Sequence, residues 1–395
     1  MVRTAQRLKG VEYSATIGLS DAIKKMRLEG RDVISLAAAR PDFDTPSPIK
    51  EAAISALRQP HEYIVYTESR GLLELRQAVA EKLSQENGLE LDPEREILIT
   101  VGAREGLFLA MQALVNPGDD VLVIDPSWLT YQALVRMAGG NPVFVPLYAE
   151  DGYHLDPEIL RSKVTDRTRA VILNTPNNPT GAVSTPAELE AIRDLAVERD
   201  LVVVTDEIYE YFVYDGHRHV SPASLPGMAE RTLTTNACSK AWAMTGWRIG
   251  FIAGPASLID KLLLMHQHLV SAPCSFAQKG AVTAYTSARD TVRAMVDSYR
   301  RRRDQIAARL ADCPGVDFSV PEGACFFFLS FPGLGLSSEE LSEKFLELGG
   351  LALTPGSAFG SQGQGHLRLS FATIGEDQVD EVMDRFSAAA RELGS

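Results

Sequence analysis

Residues 170–206 read AVILNTPNNPTGAVSTPAELEAIRDLAVERDLVVVTD. Two aliphatic runs, 170–174 and 201–206, bracket a loop broken by Pro176, Pro179 and Gly181 and a segment of mixed polarity over 186–198. Apolar runs this short and this continuous predict strands buried on both faces. Between them Thr185, followed three residues later by Glu188, predicts a helix opened by a capping box. Strand, helix, strand is the unit of an α/β fold with a largely parallel sheet.

The same texture extends outward. Further strands are expected at 96–101, 121–125, 142–146, 231–236 and 249–253, and helices at 104–115 and 128–138, which gives a mostly parallel seven-stranded sheet. After residue 255 the pattern changes to long helices over 256–269 and 275–310, then short strands near 325–331 and 366–371, as expected of a smaller α+β domain. Residues 19–30 predict a short helix, and 40–48, with three prolines, an extended link.

A chain of 395 residues has room for two or three domain-sized cores. Its net charge of -13 supplies no positive field for nucleic acid or an anionic membrane, so any anion must be held locally. Cys238, Cys274, Cys313 and Cys325 form no C-x-x-C pair, which points to no disulfide framework, no metal site and a reducing cytoplasm. The first ten residues contain no apolar h-region, and no stretch is apolar for long enough to span a bilayer, so neither secretion nor membrane insertion is expected. Arg300–Arg303, inside a helical pattern, reads as a solvated face.

Chemistry-bearing residues cluster at the expected strand ends. Lys240, in N-A-C-S-K-A-W-A-M-T-G-W-R-I-G over 236–250, sits among small and apolar residues that lower an amine's pKa, a setting for Schiff-base chemistry. Asp206 ends an apolar strand where ligands of open α/β sheets bind, and could be a metal ligand, a general base or the partner of a cation such as a protonated pyridine ring. Tyr209 and Asn178, the latter held in a proline-rigid loop, can hydrogen-bond a ring hydroxyl. The first free amides of the helix after 96–101, at Ala103 and Arg104, can bind a phosphate, as can Arg248. Trp128 offers a flat face for stacking, and Arg368 a fork for a carboxylate.

Together S-K-x-x-x-M-T-G-W-R-I-G, N-N-P-T-G, D-E-I-Y and P-D-F-D-T-P resemble the motifs of the fold-type I, class I aminotransferases that use pyridoxal 5′-phosphate (PLP), in order and over about residues 34–371. The resemblance implies that Lys240 is the Schiff-base lysine and the base that moves a proton between substrate and cofactor. It gives Asp206 the pyridinium nitrogen, Asn178 and Tyr209 the ring oxygen, Trp128 the stacking face, and Ala103, Arg104, Ser239 and Arg248 the phosphate. Arg368 and the amide of Ala39 would hold the substrate carboxylate beside Asn178 and Trp128. Tyr66 would reach the phosphate of a neighbouring subunit, so a homodimer with shared active sites is implied. The fold implied is a large PLP-binding domain, residues 45–285, and a small domain made of 1–44 and 286–395.

Two departures from the family pattern fall near the substrate. Ala39 stands where relatives usually have glycine, and Arg104 stands where some relatives specific for acidic substrates have lysine. Ile17 and Gly18, from a segment that covers the substrate in relatives, imply an apolar lid. The implied activity is transfer of the amino group of an L-α-amino acid, aspartate-like or of broad range, to a 2-oxo acid. The alternative within the same fold is a PLP-dependent lyase or an oxidase/deaminase in a specialised pathway. A non-enzymatic regulatory module would ordinarily carry a DNA-binding segment, and none is expected.

Overall fold

The computed structural model describes residues 5–13, 15–59 and 61–394. Its main sheet contains β1 (Ile97–Thr100), β2 (Asp120–Asp125), β3 (Asn141–Pro146), β4 (Thr168–Asn174), β5 (Val202–Asp206), β6 (Thr232–Ala237) and β7 (Gly250–Ala253). Their order across the sheet is β1-β7-β6-β5-β4-β2-β3; β7 runs antiparallel to both neighbours and every other pairing is parallel. The continuous apolar runs have the predicted cause: along β4, Ala170 and Ile172 pack into one core cluster, while Val171 and Leu173 pack into another. Each face of the sheet is covered by its own layer.

The helices that matter for the site are α1 (Ala103–Leu114), α2 (Thr130–Met137), α3 (Pro186–Arg199), α4 (Ala256–Leu269), α5 (Ser275–Thr286) and α6 (Arg289–Ala311). Helix α3 starts as expected: Glu188 N–H donates to Thr185 Oγ1 at 3.3 Å, and Thr185 N–H donates to Glu188 Oε2 at 2.6 Å. The single long helix expected over 275–310 is instead two. The Ser287 and Ala288 amides both donate to Thr283 O, at 3.0 and 3.1 Å, where α5 ends, and Ala288 is the N-cap of α6, its carbonyl accepting from the Thr291 amide and from Trp242 Nε1, both at 3.2 Å.

A second, antiparallel sheet contains β8 (Phe326–Ser330), β9 (Thr354–Pro355) and β10 (His366–Ser370), with β10 in the middle. Its core joins Phe326, Phe327 and Leu329 to Tyr299 and Ile306 of α6. Here the solvated-face reading of Arg300–Arg303 is corrected: Arg302 and Arg303 are buried. The guanidinium of Arg302 grips both oxygens of Asp42 at 2.8 and 2.9 Å, and that of Arg303 reaches Asp215 at 2.9 Å. Fork-shaped pairing lets such a stem enter a core without leaving its charge unpaired.

Strand order fixes where a ligand belongs. The chain leaves β2 outward for β3, then returns to lay β4 on the other side of β2. That reversal opens a crevice beyond the carboxyl ends of β2 and β4, next to β5 and β6. Among the described residues no helix is long and apolar enough to cross a membrane.

Candidate active site

A cavity of about 420 Å³ occupies this crevice. Its lining contains Ala39, Ala103, Arg104, Trp128, Asn178, Asp206, Tyr209, Ser239, Lys240, Arg248 and Arg368, which is every residue given a catalytic, cofactor or carboxylate role above except Tyr66; Gly18, expected in a lid, does not line it. Tyr66 lies away from it, 88% exposed. The side chain of Ile17 lies outside the described residues.

One end of the cavity gathers groups of a kind that suits an anion. Gly102, at φ +72°, is the N-cap of α1 and brings no side chain to its first amides, so the N–H groups of Ala103 and Arg104 open the helix. The guanidinium of Arg248 lies against Gly102 where a Cβ would stand, donating to Val101 O at 3.2 Å and Thr245 O at 3.0 Å. Gly250 is required by the same packing, since a Cβ there would come within 2.7 Å of the Ala103 nitrogen. Ser239 joins this end from the short helix Cys238–Ala241 that follows β6. The guanidinium of Arg104, an exposed residue, stacks over the Trp128 ring, 4.8 Å from its centroid.

At the opposite end Asp206 closes β5. Its Oδ2 accepts from Tyr131 Oη at 2.9 Å and its Oδ1 from the Ile208 amide at 3.2 Å. Burial pushes the carboxyl up to about 6, against the lowering effect of the Tyr131 hydrogen bond. A buried carboxylate whose side-chain partner is a neutral phenol is suited to a cationic ligand group. Tyr131 was not foreseen. It lies one turn after Trp128 and packs edge-on against it at 5.5 Å, a spacing that a helical reading of 128–138 contains but does not single out. Thr245 and Ile208 also line the cavity without having been foreseen.

Between the ends lies Lys240, half-buried, with Nζ donating to the Ala39 carbonyl and 5.8 Å from the centre of the Tyr209 ring. Burial, to which the Arg368 charge adds, brings the amine down to about 8. Burial likewise holds the Tyr209 phenol well above its usual range, and so protonated. Ala39 has no positive φ, so its methyl costs no left-handed strain.

Arg368, 2% exposed on β10, points inward. Its guanidinium lies between the rings of Phe326 and Phe359, 4.5 and 4.7 Å away, and donates to Asn178 Oδ1 at 2.7 Å and to the carbonyl of Ala37. Its Nε is buried without a partner among the described residues. Because arginine only donates, Asn178 must present its oxygen to Arg368 and its Nδ2 hydrogens elsewhere. Asn178 is itself fixed through its backbone N–H, which donates to Asn174 Oδ1 at 2.8 Å.

Comparison with known proteins identifies the family. The family described as "Aminotransferase class I and II" matches residues 31–386. An aspartate aminotransferase of Pyrococcus abyssi is 43% identical over 92% of this chain and 92% of its own. An aromatic-amino-acid aminotransferase of Thermococcus litoralis is 43% identical over 91% and 92%. The structure of an aspartate aminotransferase from Thermus thermophilus, solved with maleate, superposes with a TM-score of 0.92 at 39% identity, covering 98% of this chain and 100% of that one. The chain belongs to the class I and II aminotransferases and is an enzyme that transaminates amino acids.

Proposed function

We propose that the cofactor is PLP and that the enzyme moves the amino group of an L-α-amino acid, aspartate-like or of broad range, to a 2-oxo acid. The observation that carries this reading is the placement of Lys240 between an anion cradle and the buried carboxylate of Asp206 in one cavity. The donor set fits the group. A phosphate suits the Ala103 and Arg104 amides, Ser239 and Arg248; a protonated ring nitrogen suits Asp206; a ring oxygen suits Asn178 Nδ2 and the Tyr209 hydroxyl; and Trp128 offers a stacking face. When bound, PLP supplies a carbonyl for the amine and a ring that withdraws electrons from the substrate's Cα.

The chain's own part is positioning and proton transfer. Lys240, with its lowered pKa, has a neutral amine available near neutral pH, first to hold the cofactor and then to carry a proton at Nζ between Cα and the cofactor. Asp206 keeps the proton on the ring nitrogen, and Tyr131 keeps Asp206 oriented. Arg368 takes the substrate α-carboxylate, aided by the Ala39 amide, and its bond to Asn178 ties that docking to the cofactor's ring oxygen. Arg104 on Trp128 places a cation and an aromatic face at the cavity, a pairing suited to acidic and aromatic donors alike; relatives named for each kind are equally similar to this chain.

The proposal includes a homodimer in which Tyr66 completes the partner's phosphate site. Tyr66 and the adjacent Ile64 and Val65 are exposed together, an apolar stretch that a second copy would cover. It also includes the division into a large domain of residues 45–285 and a small domain of 1–44 and 286–395, supported by the confinement of the seven-stranded sheet to residues 97–253 and of the three-stranded sheet to 326–370. A cytoplasmic location completes it, supported by four free cysteines, three of them buried.

The test is a single turnover. PLP-loaded protein given aspartate or phenylalanine without any acceptor should release one equivalent of 2-oxo acid per site and stop. Release of none by any standard amino acid, or release that continues without acceptor, overturns the reading.

A further inference from the structure

The anion cradle depends on a turn of very few residues. Between β1 and α1 the chain reverses through Val101 and Gly102, and the orientation of the Val101 peptide groups decides where the Ala103 and Arg104 amides point. Both sides of Val101 are held by side chains. Its carbonyl accepts from Arg248 at 3.2 Å, and its N–H donates to Glu105 Oε2 at 2.5 Å. The other oxygen of Glu105 lies 2.9 Å from Nδ1 of His266, which comes from α4. Glu105 is 8% exposed and His266 0%, and neither lines the cavity.

This pair carries costs that packing alone does not explain. A buried carboxylate one residue beyond an anion cradle repels the anion it adjoins. His266 Nε2 is buried with no partner among the described residues, where an aliphatic side chain of similar size would leave nothing unsatisfied. What the pair does supply is a rigid acceptor for the Val101 N–H, anchored to a helix outside the turn.

We propose that Glu105 and His266 are positioning residues for the cofactor phosphate: His266 fixes the Glu105 carboxylate, and Glu105 fixes the Val101 turn so that the Ala103 and Arg104 amides converge on the anion. The inference rests on the reading of this end of the cavity as the PLP phosphate site. It sets the enzyme's preference for a phosphorylated cofactor through residues that never touch it.

The test compares binding of PLP with binding of pyridoxal, which lacks the phosphate, to the cofactor-free protein, with inorganic phosphate as competitor against PLP. In the wild-type protein PLP should bind much more tightly, and phosphate should compete. Glu105→Ala should weaken PLP about tenfold or more, the scale of a lost hydrogen bond to a charged group, and leave pyridoxal within about twofold. Glu105→Gln, which retains an acceptor for Val101, should recover most of the affinity. His266→Leu, which fills the same space without a donor, should show a smaller loss with the same selectivity, and it stands as the readout if Glu105→Ala does not fold. Equal weakening of PLP and pyridoxal, or no change in either, overturns the inference while leaving the cofactor reading intact. A wild-type protein that binds the two equally overturns the cradle reading and the inference with it.

Discussion

At Lys240, burial and the nearby Arg368 bring the amine down to about 8, and the sign of the pH dependence follows. The neutral amine is the nucleophile, so about one molecule in ten is competent at pH 7 and half at pH 8. The rate of PLP uptake by cofactor-free protein should therefore rise with pH through about 8 and then level off. A rate still rising in proportion to hydroxide at pH 10 would mean the amine behaves as an exposed lysine. Arg368 makes a second prediction. Arg368→Lys keeps the charge but loses the fork, and should raise the KM for the amino acid about tenfold with a smaller change in kcat; an unchanged KM would place the carboxylate elsewhere. Most of the foreseen lining residues were legible because they stand in short motifs at strand ends, whereas Arg368, in the middle of β10, was picked out as a fork for a carboxylate. Tyr131 was not, since its only mark is a helical spacing from Trp128. The burial of Arg302 was hidden for a related reason: its partner, Asp42, lies 260 residues away, and no local pattern reports such a pairing.

Elements position these residues by backbone contact, and one such close contact is between β7 and the start of α1. Gly250→Ala would press a methyl against the Ala103 nitrogen, 2.7 Å away, and against Gly102. The expected cost is about 1–3 kcal/mol, read from the denaturant midpoint, together with weaker binding of PLP. Unchanged stability and cofactor affinity would show that the turn is not held as described. At this scale the sequence was most informative where local chemistry is self-sufficient. The Thr185–Glu188 capping box and the doubly buried strands need no distant partner to form. The break between α5 and α6 was invisible because Thr286, Ser287 and Ala288, with no glycine or proline among them, carry no strong stop signal.

For the whole molecule, strand order puts the cavity at the reversal between β2 and β4, and the family's architecture follows from that reversal. The proposed dimer has a test that does not depend on mass alone. Chains carrying Lys240→Ala and Tyr66→Ala, each impaired by itself, should regain activity when mixed under exchange, because random pairing leaves about a quarter of the sites with native Lys240 and native Tyr66. No gain above the parents would show that Tyr66 does not serve the neighbouring site. The central claim, that Lys240 is the residue that holds the cofactor, is tested most directly by reducing the PLP-loaded protein with borohydride and mapping the labelled peptide. The account predicts one phosphopyridoxyl group per chain, on Lys240. A label on Lys82, Lys279 or any other lysine, or no label on a protein that turns over, would contradict it.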